Sequence, residues 1–179
     1  MTTISRELPE HFDEIRQLTI AAFTASEFGH NGEAELIDVI RSHSDDYLSL
    51  VAIDDNRIVG HILFSPATIH SKGSVINGMG LAPMAVLPTY QRSGIGSALI
   101  NGGLQRLSDT SAAFTIVSGH TDYYPRFGFL SAQDYAVTHG FKGMLQEILF
   151  VRPRNAIAAS AINGGLAYYH TAFGPQHSE

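Results

Sequence analysis

Residues 84–100, Met-Ala-Val-Leu-Pro-Thr-Tyr-Gln-Arg-Ser-Gly-Ile-Gly-Ser-Ala-Leu-Ile, constrain the fold of this chain more than any other stretch. An apolar run stops at Pro88, a polar loop with glycines at 94 and 96 follows, and an amphipathic segment extends from Ile95 to Leu107. Strand, sharp turn and helix therefore follow one another directly. Gly94 and Gly96 let the backbone take conformations that a Cβ forbids and let a ligand come close. The first N–H groups of the helix lack internal acceptors, and the positive end of the helix dipole lies beside them. Such a loop can hold a phosphate.

The spacing of the glycines narrows the kind of phosphate loop. A Gly-x-x-x-x-Gly-Lys-Ser/Thr loop is absent, and the only lysines are Lys72 and Lys142. A dinucleotide loop needs a third glycine at position 99, where Leu99 stands. What remains is Gln91-Arg92-Ser93-Gly94-Ile95-Gly96 behind an apolar strand ending in Val-Leu-Pro. This resembles the acetyl-CoA loop of the GCN5-related N-acetyltransferases, the GNAT family, with its pattern Gln/Arg-x-x-Gly-x-Gly/Ala. A second landmark is Tyr123-Tyr124-Pro125-Arg126-Phe127-Gly128-Phe129, which fits the family's aromatic-Tyr-x-x-x-Gly-Phe segment after the fifth strand. A third is the hairpin of residues 48–53 and 58–65 around the polar turn Asp54-Asp55-Asn56-Arg57. The resemblance is nearest to a bacterial subgroup carrying Gly-His-Ile-Leu-Phe-Ser-Pro, Tyr-Tyr-Pro-Arg-Phe-Gly-Phe and a Tyr-x-x-Ala-Phe ending, here Tyr169 to Phe173. It covers residues 3 to 173.

Composition sets outer limits. A chain of 179 residues, 44% apolar and 16% charged, is the size of one globular domain and reads as a single domain over 1–179. There is no cysteine, which removes disulfides, cysteine zinc sites and an acyl-cysteine mechanism. The nine histidines show neither His-x-x-x-His nor His-Glu-x-x-His spacing, so no metal is expected. No Gly-x-Ser-x-Gly elbow of a serine hydrolase occurs. A net charge of −6 argues against a nucleic-acid surface. Charged residues among the first fifteen, and no apolar run of membrane length, point to a cytoplasmic protein without a membrane partner.

Periodicity adds a coarse map. Thr3–Arg6 reads as a strand, and Pro9 opens a helix with Phe12, Ile15, Leu18, Ala22 and Phe23 on one face. A second helix runs from Gly32 to Arg41, with Asn31 as its cap. Residues 71–74 form a turn, 76–86 a long central strand, and 114–117, 144–150 and 166–169 the later strands, while 156–165 reads as either helix or loop.

The resemblance implies an α/β acyl-CoA N-acyltransferase fold, a mixed central sheet flanked by helices and splayed between strands four and five. Acetyl-CoA would lie in that splay as co-substrate. Backbone groups of Ala85 and Val86 would meet its pantetheine arm, and the N–H groups of Gln91, Arg92, Ser93, Gly94, Ile95, Gly96 and Ser97 its pyrophosphate. Tyr124 matches the tyrosine that faces the CoA sulfur and is the expected proton donor, with the amide near Val86 polarising the carbonyl. Glu27, His120 and Asp122 are the candidate bases, and a water chain could replace all of them. The expected activity is direct transfer of an acetyl group to a primary amine of a small molecule or peptide; a non-catalytic acyl-CoA sensor of the same fold is the rival. The acceptor pocket is expected from residues 24–32 and the C-terminal strands. A homodimer through those strands is left open.

Overall fold

The structure, a computed structural model, describes residues 2–27, 29–141 and 144–176. Its chain falls into two compact units, residues 1–64 with 82–106, and residues 65–81 with 107–179. In the first unit, β1 (Thr3–Arg6) pairs antiparallel with β2 (Leu48–Asp54), and β2 with the first half of β3 (Arg57–Ser71). Two apolar runs around a tight polar turn specify that hairpin, and Asp55 and Asn56 both take positive φ, as a two-residue turn demands. Helices α1 (Phe12–Thr24) and α2 (Glu33–His43) bury Ile15, Leu18 and Ala22, and Ala34, Ile37 and Ile40, at the three- and four-residue spacings of a helical face. α2 starts at Glu33 with Gly32, at φ +92°, in the N-cap position; Asn31 does not cap it as the sequence suggests.

β3 and β4 (Ser74–Val86) are neighbours and run through both units. Lys72 and Gly73, both at positive φ, join them, and so short a connection makes them antiparallel. β3 runs on past Ser65, where the apolar pattern of the hairpin ends, to Ser71. After β4 comes α3 (Ile95–Leu107), which buries Ile95, Leu99 and Ile100.

In the second unit β4 pairs parallel with β5 (Phe114–Ser118), from Met79↔Thr115 to Leu81↔Val117. The register stops there although β4 continues to Val86. β5 is paired antiparallel with β8 (Leu149–Pro153), which also pairs with the short β6 (Leu130–Ser131). β7 (Thr138–His139) runs parallel to β9 (Leu166–Tyr168), and β9 is antiparallel to β3 at Thr68–His70. Two parallel pairs, β4–β5 and β7–β9, among antiparallel neighbours, with helices beside them, make the mixed α/β architecture expected.

The strand expected at 144–150 lies at Leu149–Pro153 instead. Gln146 turns its side-chain amide onto the backbone of His139, donating to its carbonyl at 3.0 Å and accepting from its N–H at 3.2 Å, so residues 146–148 form a 3-10 turn. The buried Leu149, Phe150 and Val151 carry the strand. The ambiguous 156–165 segment contains helix α4 (Ala156–Ile162), capped by Asn155, whose side-chain oxygen accepts from the Ala158 N–H at 2.9 Å.

Candidate functional site

In the first unit the glycine loop expected to hold a phosphate is a sharp turn between β4 and α3. Ala85 is buried and Val86 half-buried at the end of β4, and the Leu87 N–H donates to the Val59 carbonyl at 3.0 Å, closing the strand. Pro88–Tyr90 then makes a 3-10 turn. The Gln91 side chain reaches back and donates to the Val86 carbonyl at 3.1 Å, while the Ser93 hydroxyl donates to the Tyr90 carbonyl. Arg92 and Gly94 hold φ of +61° and +92°, left-handed conformations that turn the chain into α3. Such a backbone costs a non-glycine residue on the order of 1 kcal/mol, so Arg92 is held there by the turn around it. The Ala98 N–H is bonded to Gly94 O at 2.9 Å, the first bond of the helix. The N–H groups of Ile95, Gly96 and Ser97 therefore have no acceptor within the helix and stand at its positive end. Gln91, Arg92, Ser93 and Gly94 are exposed around them. This arrangement of donors suits a phosphate oxygen.

In the second unit two tyrosines are packed against the ends of the parallel pair. Past β5 the Gly119 N–H is bonded to Ile148 O at 3.1 Å, and a 3-10 turn spans Tyr124–Phe127. The Tyr124 ring packs against Gly119, where a Cβ would come within 2.6 Å of its Cε2. Tyr123, Phe129 and Phe150 surround it at ring separations of 5.3, 5.9 and 6.4 Å. Burial, reinforced by Tyr123, pushes the Tyr124 phenol up to about 12. Tyr169, from the far end of the chain, presses on Gly80 of β4 in the same way, with a Cβ there falling 2.5 Å from its Cδ1. Its hydroxyl lies 3.4 Å from the Ser118 hydroxyl, and burial raises its pKa even further. Within the aromatic segment Phe129 is fully buried and Phe127 half-buried.

The candidate bases are all exposed. Glu27 is exposed in the turn after α1, and His120 and Asp122 are exposed in the loop before Tyr124. Phe28, within the expected acceptor loop, lies outside the described residues. Among the described residues no group of three His, Asp or Glu side chains could hold a metal ion, and no helix is long and apolar enough to cross a membrane.

Residues 4–132 match the family model of the acetyltransferase (GNAT) domain. The chain belongs to the GNAT acetyltransferase family. Among its relatives is the uncharacterized N-acetyltransferase YhbS of Escherichia coli K12, 32% identical over 86% of this chain and 90% of that protein. YjhQ of the same organism, also named an uncharacterized N-acetyltransferase, is 40% identical over 57% of this chain and 58% of its own length. Among solved structures, a GNAT acetyltransferase from Brucella melitensis in complex with acetyl-CoA superposes with a TM-score of 0.79 at 33% identity, covering 97% of this chain and 99% of that one. The YhbS structure in complex with CoA superposes at 0.82 and 28% identity, covering 96% and 91%.

This GNAT chain also buries a polar group that sequence patterning does not single out. In the first unit Arg41 donates to both carboxylate oxygens of Glu7, Nε at 3.0 Å and Nη2 at 2.6 Å, and the Ser49 hydroxyl donates to Glu7 at 2.6 Å. His61, fully buried, places Nε2 at 2.7 Å from the same Ser49 hydroxyl. Tyr169 is likewise not marked as a site residue by its sequence; its one signal is the Tyr-x-x-Ala-Phe ending, whose spacing says nothing of what the tyrosine touches.

Proposed function

We propose that this GNAT acetyltransferase uses acetyl-CoA as co-substrate and moves its acetyl group directly to a primary amine within a ternary complex. The observation that carries this reading is the loop of residues 91–97, where the N–H groups of residues 95–97 precede the first bond of α3 and stand at its positive end. Ala85 and Val86 supply backbone partners for the pantetheine arm, and the Val86 N–H polarises the thioester carbonyl. The nitrogen lone pair of the amine attacks the carbonyl carbon, a C–N bond forms, and the C–S bond breaks. Tyr124, protonated throughout the neutral range because burial holds its pKa near 12, donates to the departing sulfur. The proton shed by the amine restores the balance, leaving through Glu27 or His120, both exposed to solvent. With no cysteine in the chain, no acyl-cysteine relay intervenes.

Calorimetric titration with acetyl-CoA tests this reading. One-to-one saturable binding is expected for the wild type and none for Gly94→Glu. That substitution strains a backbone at φ +92° and sets a carboxylate beside the phosphate position. Undiminished affinity in the variant removes the loop from the site. Binding without thiol release in the presence of any amine points to a sensor.

A further inference from the structure

In the second unit the Tyr169 side chain reaches from β4 to β5 where their pairing ends. The β4–β5 ladder stops at Leu81↔Val117, although β4 runs on and β5 has one more residue, Ser118. Backbone groups alternate from side to side along a strand, and the Gly119 N–H points to β8, donating to the Ile148 carbonyl at 3.1 Å. The Ser118 N–H and C=O therefore face the other way, toward β4, one residue beyond the last paired position. The Tyr169 phenol stands there. Its ring covers Gly80 of β4, where a Cβ would fall 2.5 Å from Cδ1, and its hydroxyl lies 3.4 Å from that of Ser118. Ser118 acts on the phenol oxygen through its backbone as well as its side chain. Residues 170–176 hold the ring in place. His170 Nδ1 accepts from the Ala172 N–H at 3.1 Å and caps the 3-10 turn Thr171–Phe173, which brings the Phe173 ring to 5.0 Å from that of Tyr169. Phe141 packs against it at 5.6 Å. Gln176 fixes the Tyr169 backbone, accepting from its N–H at 2.6 Å and donating to its carbonyl at 3.1 Å. A residue that only filled this space would be served by phenylalanine, because a buried hydroxyl is costly unless it is bonded.

We propose that Tyr169 is a positioning residue for acetyl transfer: bonded to Ser118, it fixes the end of β5 and, through the adjoining Gly119, the Tyr124 ring packed there. The proposal rests on the acetyl-transfer reading and on Tyr124 as its proton donor. Gly119 follows Ser118 directly and lies so close to Tyr124 that a Cβ would meet Cε2 at 2.6 Å and the hydroxyl at 3.5 Å. Close-packed groups pass a displacement on, so a shift in the last residues of β5 reaches the Tyr124 phenol. Phe129 and Phe150 enclose the other sides of that ring and leave Gly119 as the side that the end of β5 controls. Tyr169 itself gives no proton, since burial holds its phenol protonated even more firmly than that of Tyr124. Its part is to keep the donor aligned with the departing sulfur, and misplacement of a donor by a fraction of an ångström slows proton transfer while leaving cofactor contacts elsewhere intact.

The test is Tyr169→Phe in the full chain, which keeps the ring and removes the hydroxyl. Thiol release from acetyl-CoA is read with methylamine, spermidine and phenethylamine, and the fastest of these serves for all variants. Tyr169→Phe is expected to lower kcat per folded molecule about tenfold, with acetyl-CoA affinity by calorimetry within about twofold of wild type. Ser118→Ala is expected to lower kcat in the same direction. In a Tyr124→Phe background the further loss from Tyr169→Phe should be no more than about twofold, because a residue acting through the Tyr124 hydroxyl has nothing left to position. An unchanged kcat in Tyr169→Phe, or losses that multiply in the double variant, overturns the proposal. Where the wild type releases no thiol with any of the amines, the failure lies with the transfer reading, and amide hydrogen exchange decides the positioning. Exchange of the Gly119 N–H at least about fivefold faster in Tyr169→Phe, with the β2–β3 amides unchanged, supports it. Gly119 exchange that is unaltered, or altered equally in β2–β3, refutes it.

Discussion

The two units bury titratable side chains in opposite ways. In the first, Glu7 stays charged inside the protein. Burial alone would raise its pKa, but the His61 ring, the Arg41 guanidinium and the Ser49 hydroxyl outweigh burial and hold it at about 2. Its oxygens are committed to a forked guanidinium and a hydroxyl, the strongest pairing available to a carboxylate. In the second unit Tyr124 and Tyr169 are buried neutral, and burial pushes both phenols up. A charge whose hydrogen-bonding capacity is used up can only fix geometry, whereas a buried neutral phenol keeps a proton to give. Similar degrees of burial therefore leave a paired charge in one unit and a neutral proton donor in the other.

Removing a partner from the charged cluster is the most severe way to break this contrast. Arg41→Ala leaves Glu7 buried and uncompensated and is expected to lower unfolding free energy by about 3–5 kcal/mol, measured by denaturant titration. Acetylation per folded molecule should not change, and a matching loss of turnover would erase the division between the units.

Acid probes the same cluster without mutation. Glu7 titrates lower folded than its ordinary 4.5, so its contribution is complete above pH 4.5 and is lost as pH falls toward 2, about 3 kcal/mol in all. His61 is also lowered, by burial and against the pull of Glu7, so its share is complete above 6.5 and begins to fail below it. The phenols have the reverse sign. The raised Tyr124 pKa stabilises fully below pH 10, and that share is lost between 10 and about 12. Unfolding scans across pH should thus show an acid limb reduced by Glu7→Gln, most of all below pH 4.5, and an alkaline limb reduced by Tyr124→Phe; an acid limb unaltered in Glu7→Gln refutes the assignment.

Tyr124→Phe separates chemistry from packing. The ring and its contacts remain, so stability should move by no more than about 1 kcal/mol, while kcat falls about 100-fold and acetyl-CoA affinity holds. Equal rates for mutant and wild type would remove the tyrosine from the reaction. Gly119→Ala sharpens the same point with a smaller effect. A methyl 2.6 Å from Tyr124 Cε2 must displace the ring, costing about 1–3 kcal/mol of stability and part of the rate. A variant as stable and active as the wild type would mean that the ring needs no such bed.

Part of the fold and of the candidate site is legible in the amino-acid order itself. The 84–100 segment can be read because each of its parts is local: an apolar run, a proline stop, a glycine at φ +92° and a helical face lie within one stretch of chain. The β2–β3 hairpin and the turn at Lys72-Gly73 are readable for the same reason. The strand at 149–153 is not, because the choice between 144–150 and 149–153 turns on Gln146 bonding back to His139, a tertiary event that apolar patterning does not record.

The amino-acid order by itself carried the family, through its resemblance to known motifs, and the strand–turn–helix of residues 84–107, through short-range periodicity and backbone freedom at single residues. Tertiary structure alone decided which side chains share an environment. Glu7 meets Arg41 across 34 residues and Ser49 across 42. Tyr169 meets Ser118 across 51 and is seated on Gly80. Desolvation and pairing depend on which atoms surround a group in space, so the charge state of a buried carboxylate or phenol exists only once the chain has closed on itself.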